Sequence, residues 1–140
     1  MTRIKTRFGD VEYKPEHLLN FPVGMVGLPG LRSFIVMPNR KEGPLFWIQS
    51  VDDQDMAFVL TDPTNFFPDY AVKLEAAERR ILEIDRDDEC YPVVVVTVPP
   101  DSNITLNLSA PILFAPKSNR AMQIILEDSP YSTKTPLPQV

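Results

Sequence analysis

One cysteine, one histidine and one tryptophan occur in 140 residues, and each scarcity excludes something. Cys90 alone cannot form an internal disulfide, which fits a reducing compartment. A lone His17 with a lone cysteine does not make a conventional zinc site within one subunit, so no metal or cofactor is expected. Basic charge is short as well. Fourteen Lys and Arg stand against 19 Asp and Glu, a formal net charge of −5 and a pI of about 4.8. Phosphate affinity comes from clustered Lys and Arg, so this balance argues against direct nucleic-acid binding and suits a basic or neutral protein partner. No run approaches the ~18 apolar residues of a membrane span, and no apolar stretch follows the basic start Met1 to Arg7. A cytoplasmic, unprocessed protein without membrane contact is expected.

Glycine is also scarce, yet three of the five fall at Gly24, Gly27 and Gly30. With Pro22 and Pro29 they make a shaped loop, because glycine supplies backbone angles other residues avoid and proline fixes φ. The spacing matches neither G-x-G-x-x-G nor the P-loop, and no helix pattern follows, so a strand crossover is the better reading than a phosphate cradle, with partner contact as the alternative.

What is abundant is short β-type runs divided by turn chemistry. Residues 3–8 and 11–13 flank Gly9-Asp10, and residues 33–37 run into the hairpin-like loop 38–44. Residues 45–51, 56–61, 104–108, 112–115 and 121–126 read the same way, the last two joined by a turn at 116–120. One segment differs. Residues 75–83 hold good helix formers, with Leu74, Ala77 and Ile81 on one face and Glu75 four residues before Arg79. The run Val93 to Val98, bracketed by prolines, is apolar at every position but Thr97 and wants cover on both faces. One face would look into the core and the other would lie under the short helix. These features predict an all-β fold: an antiparallel β-barrel-like single domain, residues 1–128, with one short accessory helix at about 75–83. Residues 129–140 form a proline-rich tail, expected to be extended or mobile.

The residues offer catalysis little. Cys90 lies between Glu89 and Tyr91, where carboxylates disfavour a thiolate. His17 reads as a surface or strand-edge residue. Asp52, Asp53 and Asp55, and the acidic run 85–89, lack the glycine and terminal glutamate of a calcium loop and read as solvated turns. The protein is not expected to be an enzyme. Residues 62–70 stand out instead, since Phe66, Phe67, Pro68, Asp69 and Tyr70 pack aromatics and proline into one loop. They serve either as a partner contact or as a plug for the barrel end. Asn107 and Pro111, in Asn107-Leu108-Ser109-Ala110-Pro111, form a weaker candidate of the same kind.

Taken in order, these segments resemble the FliW family of flagellar assembly factors over nearly the whole chain. The landmarks are Gly27-Leu28-Pro29-Gly30 with Phe34, then Phe46 through Gln49-Ser50, Ala57-Phe58-Val59 with Asp62-Pro63, and Pro68-Asp69-Tyr70. Asn107-Leu108 with Ala110-Pro111-Ile112, and then Tyr131, complete the set. There are departures. Leu31 and Arg32 stand where the family usually has an aromatic residue and a glutamate, Ile48 where leucine is more usual, and Ala115 where asparagine is frequent. The charge reversal marks Arg32 as a further partner-binding candidate. The resemblance implies a cytoplasmic factor, monomeric when free, that binds flagellin and the RNA-binding regulator CsrA. Its members antagonise CsrA non-competitively, so that flagellin translation follows flagellin level. The alternative reading is a small-ligand-binding β-barrel module.

Overall fold

The strands close into a seven-stranded barrel in the computed structural model, which describes residues 2–6, 9–38, 45–98, 100, 103–127 and 130–136. In chain order they are β1 (Thr2–Thr6), β2 (Gly9–Tyr13), β3 (Leu18–Asn20), β4 (Ser33–Pro38), β5 (Leu45–Ser50) and β6 (Ala57–Thr61). After the single helix α1 (Ala76–Leu82) come β7 (Tyr91–Thr97), β8 (Thr105–Leu106), β9 (Ile112–Ala115), β10 (Arg120–Gln123) and β11 (Thr135–Pro136). Strands β3 to β7 pair in sequence, β7 pairs with β9, β9 with β10, and β10 returns to β3. That closing contact, Arg120 opposite Asn20, is parallel, whereas the other pairings are antiparallel. The hairpin β1–β2 stands outside the ring.

The predicted strands appear with small shifts, while β3 is an addition that three residues of sequence did not announce. Of the first predicted strand, Arg7 and Phe8 lie outside the described residues. So do residues 39–44 of the predicted β4–β5 loop.

The alternation of β7 explains its composition. Val93 and Val95 join Phe21, Phe34, Ile48, Leu60 and Ile112 in the barrel core. Val94 and Val96 face outward and are still fully or nearly buried, in a second cluster with Tyr70, Leu106 and Leu108. The cover on this outer face is therefore the aromatic segment and not the predicted helix. Helix α1 packs one place further round. Its Leu82, with Leu74 and Ile84, lies on Leu113, Ala115, Met122 and Ile124 of β9, β10 and the residue after it. Strand β9 is buried at all four positions because it too is covered on both faces.

A seven-residue helix is too short to persist alone, so its ends are tied. The Glu75 N–H donates to Glu78 Oε1 at 2.7 Å. At the other end Glu83 takes a left-handed conformation (φ 57°), and the free carbonyls of Leu82 and Ile81 accept from Ser118 Oγ (2.7 Å) and Arg120 (3.0 Å). Leu74 and Ile81 face the core as expected, but Ala77 is exposed and Leu82 takes its place. Arg79 does not pair with Glu75. It bonds Asp87 and the Leu74 carbonyl, both at 2.9 Å. The acidic run is thus partly structural, since Glu89 also accepts from the N–H groups of Asp85 and Arg86.

Where it is described, the tail turns at residues 133–134 and lies along β8. Leu108 N donates to Ser132 O at 3.1 Å, and β11 pairs with β8.

Candidate protein-interaction surface

Asp62 begins the aromatic segment by capping a 3-10 turn at Pro63–Asn65. Its Oδ1 accepts from the Thr64 N–H at 2.9 Å and from the Thr64 hydroxyl at 2.6 Å. The Phe66 and Phe67 N–H groups then close on the Pro63 carbonyl at 3.1 and 2.8 Å. This turn aims both rings at the outer face of β7, where they are half-buried. Tyr70 is 5% exposed, its hydroxyl donating to the Leu108 carbonyl at 2.7 Å and its ring 4.7 Å from Tyr131. Burial, and then the neighbouring Tyr131, push the Tyr70 hydroxyl above its ordinary pKa, so it stays a neutral donor. Of the five candidates here only Pro68 and Asp69 are open to solvent.

Asn107 and Pro111 belong to the next loop. Asn107 is half-buried, its N–H on Val95 O (3.0 Å) and its Oδ1 accepting from Ser109 Oγ (3.1 Å). Pro111 is buried, and its carbonyl accepts from the Ile124 N–H at 3.0 Å. The Tyr70–Leu108 bond brings these two candidate regions together.

Arg32 lies elsewhere, at the exit of the glycine loop. It is exposed, and its guanidinium donates to the Pro22 carbonyl across the loop. Its N–H and that of Ser33 both donate to Asp52 Oδ2 at 3.0 Å. Asp52 is held in turn, with Asp53, because both N–H groups donate to Ser50 Oγ at 3.0 Å. Buried Gln49 completes the β5–β6 turn by donating to the carbonyls of Ser50, Gln54 and Met56 at 3.0 to 3.2 Å. The Gln49-Ser50 landmark is therefore a brace for the loop that carries Arg32.

The glycine loop itself carries exposed apolar residues that were not among the sequence candidates. Phe21 and Met25 plug the barrel core, while Val23, Val26 and Leu28 are 50%, 46% and 37% exposed. Gly24 (φ 74°) crosses so close that an added Cβ would stand 2.6 Å from the Pro29 backbone. Turns from Gly24 to Phe21, Leu28 to Met25 and Leu31 to Leu28 hold the shape at 2.8 to 3.0 Å. Gln123 links this loop to the next by accepting from Val26 N and donating to Ala110 O, both at 3.1 Å. A loop held by its own turns with three apolar side chains outside is a candidate contact surface, since little order would be lost on binding. The available signal was numerical: six apolar residues between Phe21 and Leu31 exceed what one barrel end can cover.

The chemistry elsewhere is quiet. Cys90 is half-buried, its thiol pushed up to about 11 by burial and then by Asp87 and Glu89, and its Sγ lies 3.4 Å from the Asp87 carbonyl. Among the described residues no three His, Cys, Asp or Glu side chains are grouped to hold a metal ion, and no helix is long and apolar enough to cross a membrane.

Comparison with known proteins gives one consistent result. The family profile described as FliW protein matches residues 2–137. The flagellar assembly factor FliW 2 of Desulfotalea psychrophila is 64% identical over 140 residues, covering 100% of this chain and 93% of the relative. Flagellar assembly factor FliW of Syntrophotalea carbinolica is 62% identical over 135 residues, covering 96% of each. A crystal structure of the flagellar assembly factor FliW superposes with a TM-score of 0.89 at 29% identity, over 99% of both chains.

Proposed function

The chain belongs to the FliW family of flagellar assembly factors, a non-enzymatic class, and from that premise we propose that it acts as a partner switch between flagellin and the translational regulator CsrA. The observation that carries this reading is agreement along the whole chain with flagellar assembly factors, in sequence and in fold. When flagellin is scarce the free factor captures CsrA and relieves repression of the flagellin message. When flagellin accumulates it occupies the factor, and CsrA represses again. Such a switch needs only that the two ligands disfavour each other on one small protein, a coupling that is reciprocal by linkage.

The net charge of −5 supports capture of a basic, RNA-binding partner without contact to the RNA itself. Of the residues proposed for partner contact, Arg32, Pro68 and Asp69 meet the partner directly. Phe66, Phe67, Tyr70, Asn107 and Pro111 shape the surface from beneath. The exposed Val23, Val26 and Leu28 add the apolar part. The protein works in the cytoplasm and is a monomer when free.

Size-exclusion chromatography of the purified protein with CsrA and flagellin from its own organism tests this. A complex with each partner is expected, and excess flagellin should release CsrA. Absence of a complex with both would overturn the reading. The flagellin leader RNA, mixed with the protein alone, should show no binding that falls with salt.

A further inference from the structure

The hairpin β1–β2 pairs with no other strand among the described residues, and the outer edge of β2 is one of its two open edges. Among the described residues β2 pairs with β1 alone, through residues 9–13. Another open edge faces it on the barrel. Strand β3 covers β4 only at residues 33–35, because the chain before β3 folds into a 3-10 turn at Pro15–His17. Val36 and Met37 therefore pair with Ile48 and Trp47 of β5 on one side and with no strand on the other. That turn is held in place, since His17 N donates to Lys14 O at 2.9 Å and Asn119 Nδ2 donates to Glu16 O at 2.8 Å.

Between the two edges lies a groove of about 640 Å³. Its walls are consecutive residues, 10–13 of β2 and 35–37 of β4, as strand edges would supply, and not the alternate residues of a sheet face. Val11, Val36 and Met37 give it apolar surface, and Val36 is 47% exposed. Three carboxylates line it, from Asp10, Glu12 and Glu16, and among the described residues no Lys or Arg does. Glu12 is paired with Arg3 at 2.6 Å, whereas Asp10 and Glu16 carry no ion pair among the described residues.

Open strand edges present N–H and C=O groups that an extended peptide satisfies by adding a strand, with side chains supplying specificity. We propose that this groove docks an extended segment of a partner protein, about as long as β2, that alternates Lys or Arg with apolar side chains and adds as a strand to the β2 edge. Its apolar side chains meet Val36 and Met37, and its cations meet Asp10 and Glu16. The surface is separate from the glycine loop and does not depend on the identity of the partners proposed above.

The test is fluorescence anisotropy with a labelled synthetic peptide of about seven residues alternating lysine and valine. It should bind, and weaken as salt rises. The glutamate–valine counterpart should not bind. Backbone N-methylation of one alternate set of residues should abolish binding while methylation of the other set leaves it, because only one set donates to the β2 edge. The double variant Asp10→Lys, Glu16→Lys, at exposed positions, should keep the parent melting temperature and bind at least about tenfold more weakly. Three results would each overturn the proposal: no binding, equal binding by both methylated peptides, or indifference to the double variant. A dimer that forms at rising concentration and is displaced by the peptide would overturn it too, assigning the groove to a second copy. The peptide carries no flagellin or regulator sequence, so its failure leaves the assembly-factor reading standing, and the chromatography can fail without touching the groove.

Discussion

The glycine loop and the aromatic segment are both Pro-containing connectors rich in apolar side chains, and they have opposite fates. The aromatic segment turns Phe66, Phe67 and Tyr70 inward, onto the outer face of β7. The glycine loop buries Phe21 and Met25, half-buries Leu31 against the same core, and leaves Val23, Val26 and Leu28 in solvent. Composition does not separate them. What separates them is the apolar ground beneath each. Val94 and Val96 offer a strip that the three aromatics cover, whereas the barrel core takes Phe21, Met25 and part of Leu31 and leaves the other apolar side chains of the loop outside. Exposure in a loop is set by the surface it crosses, and an exposed apolar group is informative where it is held there rigidly.

The largest effect should come from the inward side of this contrast. Tyr70→Ala should cost about 4 kcal/mol in urea unfolding, the scale of a large aromatic lost from a core. A cost below about 1 kcal/mol would break the comparison by making the aromatic segment a surface after all. Gly24→Ala comes next at about 3 kcal/mol, because the new Cβ meets the Pro29 backbone at 2.6 Å in a left-handed conformation. Gly27→Ala has the same backbone sign (φ 77°) but open space, and should cost about 1 kcal/mol. Equal losses at the two glycines would remove the claim that the loop is locked by its own crossing.

A pH series tests the helix that packs beside the aromatic segment. The Arg79 hydrogen bond, and then the Leu74 N–H, hold the Asp87 carboxyl below its usual range. A carboxyl whose pKa is lower folded than unfolded stabilises above the unfolded value and loses that contribution as pH falls through the folded one. Asp87→Asn should therefore lower the melting temperature at pH 7, and the gap to the parent should close as pH falls below the usual carboxylate range. A gap that widens in acid would contradict the pairing. The smallest stability effect belongs to Val26→Ser, below about 0.5 kcal/mol, together with at least tenfold weaker capture of flagellin or CsrA. Unchanged capture of both would take the glycine loop out of the binding surface.

Much of the fold was readable before the structure. Short apolar runs bounded by turn residues, such as Ser33 to Met37 and Ile112 to Ala115, read as strands, and the helix lacks β-branched residues until Ile81. Strand β3 was not readable, because Leu18–Asn20 is too short to show a period and is defined by Phe34 and Arg120 lying opposite Leu19 and Asn20. Nor was the cover on β7, since both the helix and the aromatic segment are apolar enough to supply it. The Glu75–Arg79 pairing failed because Asp87 reaches the same guanidinium from a later turn and shares it with the Leu74 carbonyl. Among the partner candidates, residue type alone did not distinguish Tyr70, inside, from Asp69, outside.

By itself the sequence determined the family, the all-β barrel, the lone helix and the acidic character, because these depend on local period, turn chemistry and ordered landmarks. Only the tertiary structure decided which side chains stay in solvent. It left Val23, Val26 and Leu28 uncovered, drew the aromatics inward, and set two open strand edges across a groove. Those outcomes depend on which surfaces meet after closure, and closure joins residues as distant as Asn20 and Arg120.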